Sequence, residues 1–182
     1  MKKTIIFISG WAVHPLIAKS KWVWDKSFWS DYNCIWLSSK TPTSDGMVKR
    51  ELDRLQNLIR AYPEATVAGH SLGGWWASNL ALRPKVIIRK TVLWTPLGDT
   101  GYYPIFNVTP RYHPPHQPVT SNSGPHRVLV LSAKDDLIVP PNGHANELAS
   151  HFLAMPYRLN GGHFYQSNHR AALEYMREWI ES

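Results

Sequence analysis

The chain is predicted to be an α/β protein, one domain built on a mostly parallel, doubly wound sheet of about six strands. Three observations predict it. Apolar runs as short as a buried strand alternate with segments of helical periodicity; no two runs are joined by a hairpin signal; and one run, Thr66-Val67-Ala68, ends in Gly69-His70-Ser71-Leu72-Gly73 and passes straight into a helix-compatible segment. At 182 residues the chain fits a single domain, 1–182, able to bury a sizeable core without disulfides.

Thr4 to Ile8 is the first expected strand, apolar throughout as in a sheet covered on both faces. The Lys2-Lys3 pair before it suggests a signal peptide, but the run is brief and β-branched and leads into Ser9-Gly10-Trp11, so it is read as core. Trp22, Trp24, Phe28 and Trp29, between Lys19 and Tyr32, suit a helix packing aromatics onto the sheet. Cys34 to Leu37 is the second strand, with Cys34, the single cysteine, expected to be a buried thiol. Val48, Leu52, Leu55 and Ile59 step by four, three and four residues after possible N-caps at Ser44 or Asp45, which predicts an amphipathic crossover helix. Pro63 ends it.

A helix running from Leu72 to Leu82, rich in apolar residues, is expected at the domain centre. Strands follow at Thr91 to Trp94, Arg127 to Ser132 and Tyr157 to Leu159, with helices suggested by Ala145, Leu148, Ala149, Phe152 and Leu153 and by Ala172, Leu173, Met176, Trp179 and Ile180. The exception is residues 97–125, whose prolines at 104, 110, 114, 115, 118 and 125 forbid a long helix. A loop so long inside one domain is usually functional, and this one is read as a small irregular lid. His113, His116 and His126 nearby lack a neighbouring carboxylate or cysteine, so zinc is not expected. His14, in the loop after the first strand, is read as solvated or structural.

The Gly-x-Ser-x-Gly turn between strand and helix reads as a nucleophile elbow, with a purely structural turn as the alternative: the elbow would hold the Ser71 hydroxyl at the top of the sheet and aim the Leu72 N–H at an oxyanion. The loop Gly10 to Pro15 is where a second oxyanion donor belongs, and Trp11 N–H is the candidate. A carboxylate past the strand that ends at Ser132 would orient a histidine base. Asp136, followed by Leu137-Ile138-Val139-Pro140, is preferred, with adjacent Asp135 as competitor. His163 follows the acid, the last strand and two flexible glycines, so it is the expected general base.

These segments are similar to the α/β-hydrolase superfamily over nearly the whole chain, from Ile5 to Trp179. The compact size, the Asp-Asp and Gly-Gly-His-Phe segments resemble small serine hydrolases related to retinoblastoma-binding protein 9. Gly10-Trp11 and Ser71-Leu72-Gly73-Gly74 also resemble the esterases that cleave pimeloyl-acyl-carrier-protein methyl ester in biotin synthesis. The chain departs from both: Ser9 replaces the His that often precedes the oxyanion Gly, and the lid is Pro-rich where the biotin esterase has a helical cap.

The resemblance implies a serine esterase with a Ser71, His163, Asp136 triad and no cofactor. Trp75, Trp94, Tyr102, Tyr103 and Phe106 are candidates to line an acyl pocket. Twenty Lys and Arg against thirteen Asp and Glu, net +7, would suit an acidic substrate or carrier, but the basic residues are scattered with no nucleic-acid motif. No run nears the roughly 18 apolar residues of a membrane span. The expected partner is therefore a small-molecule or acyl-carrier-bound ester, with no nucleic acid or membrane, for a cytoplasmic monomer or weak dimer. A non-catalytic binding protein on the same scaffold is the competing class.

Overall fold

A computed structural model describes residues 2–10, 24–83, 88–98 and 127–182. Their strands are β1 (Thr4–Ile8), β2 (Asn33–Leu37), β3 (Thr66–His70), β4 (Lys90–Trp94), β5 (Arg127–Ala133) and β6 (Pro156–Leu159). The helices are α1 (Asp45–Arg60), α2 (Leu72–Ala81), α3 (Ala145–His151) and α4 (His169–Glu181). The six strands form one sheet in the order β2-β1-β3-β4-β5-β6, every pairing parallel.

Parallel neighbours require crossovers, and these put a hydrophobic layer on each face. On one side Ile6, Ile8, Val67 and Val130 meet Val48, Leu52, Leu55 and Ile59 of α1, together with α2 and α3. On the other, Ile5, Phe7, Val92 and Trp94 meet Trp24, Phe28, Trp29 and the Ala172, Leu173, Met176, Ile180 stripe of α4. Trp24, Trp29, Trp75, Trp76 and Trp94 are all fully buried. At about 25 cal/mol per Å², each tryptophan contributes roughly 5 kcal/mol of gross transfer free energy.

Ser44 caps α1, its hydroxyl accepting from Met47 N–H at 3.3 Å. Glu51, on the same helix, is buried, an unexpected place for a carboxylate. Arg54 grips it at 2.6 and 3.0 Å and Lys40 at 3.1 Å, which supplies the opposite charge that burial requires.

Three local expectations are corrected. Residues 24–32 form turns, not a helix: Asp25 sits at φ 46° and its carboxylate takes the Ser27 N–H at 3.1 Å, an alternative to helical bonding that the aromatic spacing does not reveal. The aromatics pack on the sheet all the same. Cys34 is only half-buried because β2 is an edge strand, and its thiol, pushed up to about 11 by burial, lies 3.6 Å from the Trp29 carbonyl. Leu153 is 78% exposed, since α3 ends two residues earlier and the chain turns at Leu153 with φ 52°.

Among the described residues no helix is long and apolar enough to cross a membrane. Most of the expected lid, from 99 onward, lies outside the described residues, as do His14, His113, His116, His126 and Trp22.

Candidate active site

The site is built at the carboxyl ends of β3 and β5 and in the turn after β6. β3 finishes at His70, α2 starts at Leu72, and Ser71 between them has φ 55° and ψ −120°, a backbone state that side chains rarely adopt. Main-chain bonds hold it there. Ser71 N–H donates to the Trp94 carbonyl at 3.0 Å, while its own carbonyl accepts from Gly74 at 2.9 Å and Leu97 at 3.0 Å. The turn is also very tightly packed. A Cβ on Gly69 would strike the Gly73 carbonyl, one on Gly73 the Ile8 carbonyl, and one on Gly74 would lie 2.6 Å from Pro96 Cβ. Leu72 N–H belongs to the first turn of α2, where backbone donors lack helical partners and the dipole favours negative charge.

The two aspartates after β5 divide the work. Asp136 is buried, and its Oδ1 accepts from Ile138 N–H at 2.9 Å and Val139 N–H at 2.8 Å. Its Oδ2 lies 2.7 Å from Nδ1 of buried His163. Donation from Nδ1–H leaves the lone pair on Nε2, the tautomer a general base needs. Asp135 instead accepts the N–H groups of Gly161 at 2.9 Å and Gly162 at 3.0 Å, which pin the loop that carries His163. Those bonds, that of Gly162 foremost, hold its carboxyl below the usual carboxylate range. The loop needs its glycines, for Gly161 has φ 123° and Gly162 φ 64°.

His163 and Asp136 are thus joined directly. Ser71 approaches them through its neighbours: the hydrogen bonds of the described residues include none from Ser71 to His163, but the His70 and His163 rings lie 4.8 Å apart. His70 Nε2 is 3.3 Å from the His163 carbonyl, and Thr95 Oγ1 donates to that same oxygen at 3.2 Å. Burial first, then the neighbouring His163, holds His70 well below the usual histidine range, so it is neutral.

Trp75 and Trp94, expected to line an acyl pocket, are buried within the two core layers. They are 1% and 0% exposed. Trp75 packs edge-on against Trp76, and Trp94 edge-on against Trp24 and Tyr165, because α2 and β4 lie at the centre of the domain. Trp11, Tyr102, Tyr103 and Phe106 fall outside the described residues. Sequence reasoning missed Asp135's grip on the loop and the contacts of His70 and Thr95. The available signal was position: His70 fills the variable place in the Gly-x-Ser turn, and Thr95 directly follows the strand beside it.

Compared by sequence, the chain matches no protein-family model and no curated protein. Its fold has many relatives. A presumed hydrolase of the α/β superfamily from Xanthomonas campestris pv. campestris is 18% identical with a TM-score of 0.66, covering 98% of this chain and 97% of its own. The ydeN gene product of B. subtilis is 16% identical with a TM-score of 0.66 over 99% of this chain and all of its own. Est1E from Butyrivibrio proteoclasticus is 13% identical with a TM-score of 0.67 over 98% of this chain and 87% of its own. Similarity of this extent, with the parallel six-stranded sheet and its flanking helices, gives the chain the α/β-hydrolase fold.

Proposed function

We propose that the protein is a serine hydrolase of the carboxylesterase type, working through an acyl-enzyme on Ser71. The observation that carries this is the buried His163–Asp136 pair, 2.7 Å long, at the sheet end that also holds Ser71 on its strained turn. In this reading His163 Nε2 takes the Ser71 proton as Oγ attacks the ester carbonyl. The tetrahedral oxyanion is met by Leu72 N–H and, from the loop after β1, by Trp11 N–H. The C–O bond to the leaving alkoxide then breaks, and the alkoxide leaves as the alcohol with the proton from His163. Water, deprotonated by the same nitrogen, releases the acid and returns the proton to Ser71. No cofactor enters any step.

The substrate in this reading is a small-molecule ester, in keeping with the resemblance to the small serine hydrolases related to retinoblastoma-binding protein 9. A second reading, an esterase for methyl esters carried on an acyl-carrier protein, draws its support from the net charge of +7, which favours an acidic carrier.

Labelling with a fluorophosphonate probe tests the reaction, and p-nitrophenyl esters of increasing chain length test the substrate. Labelling should vanish in Ser71→Ala and fall to background in His163→Ala. A folded wild-type protein that neither labels nor turns over would leave a binding protein on a hydrolase scaffold. Cleavage of a carrier-bound methyl ester far faster than of free esters would favour the second reading.

A further inference from the structure

We infer that Thr95 and His70 are positioning residues that clamp the main chain of His163 and thereby set its ring against Ser71. This rests on the serine-hydrolase reading and adds two residues to it. The His163 carbonyl oxygen has two lone pairs, and both are engaged: by Thr95 Oγ1 at 3.2 Å and by His70 Nε2 at 3.3 Å. All three residues are buried. One donor immediately precedes Ser71 in the chain; the other immediately follows Trp94, whose carbonyl takes the Ser71 N–H at 3.0 Å. Consecutive residues at the end of β4 therefore hold the serine turn with one bond and the histidine turn with the next.

The backbone of Thr95 argues that its hydroxyl is the reason it is there. Its φ is 38°, which for a β-branched side chain is an outlier, and glycine would adopt it freely. Such strain persists where the surroundings impose it, and it concentrates at functional sites. Here the surroundings are the Thr95 N–H bond to the Leu131 carbonyl at 2.8 Å and the bond to His163.

His70 bears a similar cost. Only the tautomer protonated on Nε2 can donate to that carbonyl, which leaves Nδ1 a buried acceptor with no hydrogen-bond partner among the described residues. An apolar residue of similar size would fill the same space without that orphan atom. The Nδ1 edge of the ring faces Gly10, where a Cβ would come within 3.1 Å of it. His70 thus lies between the start of the β1 loop and the histidine turn, in contact with both.

The test compares the fluorophosphonate labelling rate, the kcat and KM for p-nitrophenyl butyrate, and the Tm of wild type, Thr95→Gly and Thr95→Ser. Thr95→Gly relieves the φ strain and removes the donor, so it should keep or raise Tm while labelling about five- to tenfold more slowly, the worth of one net hydrogen bond. The loss should fall on kcat and leave KM unchanged. Thr95→Ser should recover most of the rate because it keeps the hydroxyl. His70→Leu, which removes the other donor, should also slow labelling. A wild-type rate in Thr95→Gly, or a Thr95→Ser as slow as Thr95→Gly, overturns the clamp while leaving Ser71 the nucleophile. A wild-type protein that does not label removes the hydrolase reading itself and the clamp with it.

Discussion

The Ser71 turn and the His163 loop meet at one end of the sheet but are held by different forces. The turn is fixed by backbone: Ser71 N–H to Trp94, Leu97 N–H to Ser71, and glycines pressed against the carbonyls of Gly73 and Ile8. The loop is fixed mainly by side chains: Asp135 on the N–H groups of Gly161 and Gly162, Asp136 on the His163 ring, Thr95 and His70 on the His163 carbonyl. A position held by close packing fails all at once. One held by several side-chain bonds can be loosened one bond at a time, with the fold intact. In the proposed reading, the nucleophile is therefore built into the core, and the base is attached to it.

Asp136→Asn should show the largest effect of this division. The amide can donate to Nδ1 and stabilise the wrong tautomer of His163, leaving Nε2 protonated and unable to accept the Ser71 proton. A fall in kcat on the order of 10⁴, with Tm little changed, is expected from that mechanism. Stopped-flow turnover beside a melting curve reads both, and a loss below tenfold would mean that the pair does not govern the base.

Gly73→Ala breaks the other half of the comparison. The new methyl would overlap the Ile8 carbonyl, which belongs to β1 and cannot withdraw without moving the sheet. About 3 kcal/mol of stability should be lost, the upper end of what overpacking costs, and activity should fall only in proportion to the unfolded fraction. Urea titration gives the stability. An unchanged midpoint would show that the turn has slack.

Asp135→Ala comes third. Its carboxylate holds the loop from an exposed position, so the chain should remain folded while His163 loses its fixed approach. Roughly tenfold in kcat is expected, short of the 10² that a full 1 Å misplacement can cost. Equal losses in Asp135→Ala and Asp136→Asn would erase the division of labour between the two residues.

The same difference explains what was legible in the sequence. The turn could be read because close packing demands glycine at fixed spacing, and Gly69, Gly73 and Gly74 record it letter by letter. The four inner strands could be read because burial on both faces leaves apolar runs such as Ile5 to Ile8 and Leu129 to Leu131. The loop was only partly legible. Asp135 and Asp136 are neighbours, and which one reaches the histidine depends on a turn whose dihedrals the letters do not specify. Thr95 carries no mark of its φ of 38°, and the Asp25 turn replaces a helix that the aromatic spacing had suggested. Trp75 and Trp94 carry a related ambiguity: a large aromatic suits a pocket wall and a core equally, and the letters do not give the position of α2 and β4 within the layers that buries both rings.

The smallest expected effect concerns His70, the residue that belongs to both halves. It ends the strand of the turn and bonds the loop, and its ring is surrounded by Trp24, His163, Phe164 and Gly10, with Asp136 beyond His163 as the charged group behind them. Burial and the neighbouring His163 lower its pKa in the folded protein well below the 6.5 of an ordinary histidine. As pH drops through 6.5 the unfolded chain therefore binds a proton that the folded one refuses, and stability falls with pH. One such group contributes a slope of up to about 1.4 kcal/mol per pH unit. His70→Gln keeps an N–H of similar reach and does not titrate, so its stability between pH 6.5 and 5 should fall less steeply than that of the wild type, and the curves should run together above pH 7.5. Carboxylates whose pKa values are also lowered, Asp135 and Glu51 among them, act mostly below that window and do so equally in both proteins. Parallel curves from pH 7.5 to 5 would mean that His70 accepts its proton inside the fold, and a charged His70 beside His163 would then weaken the base it is placed to hold.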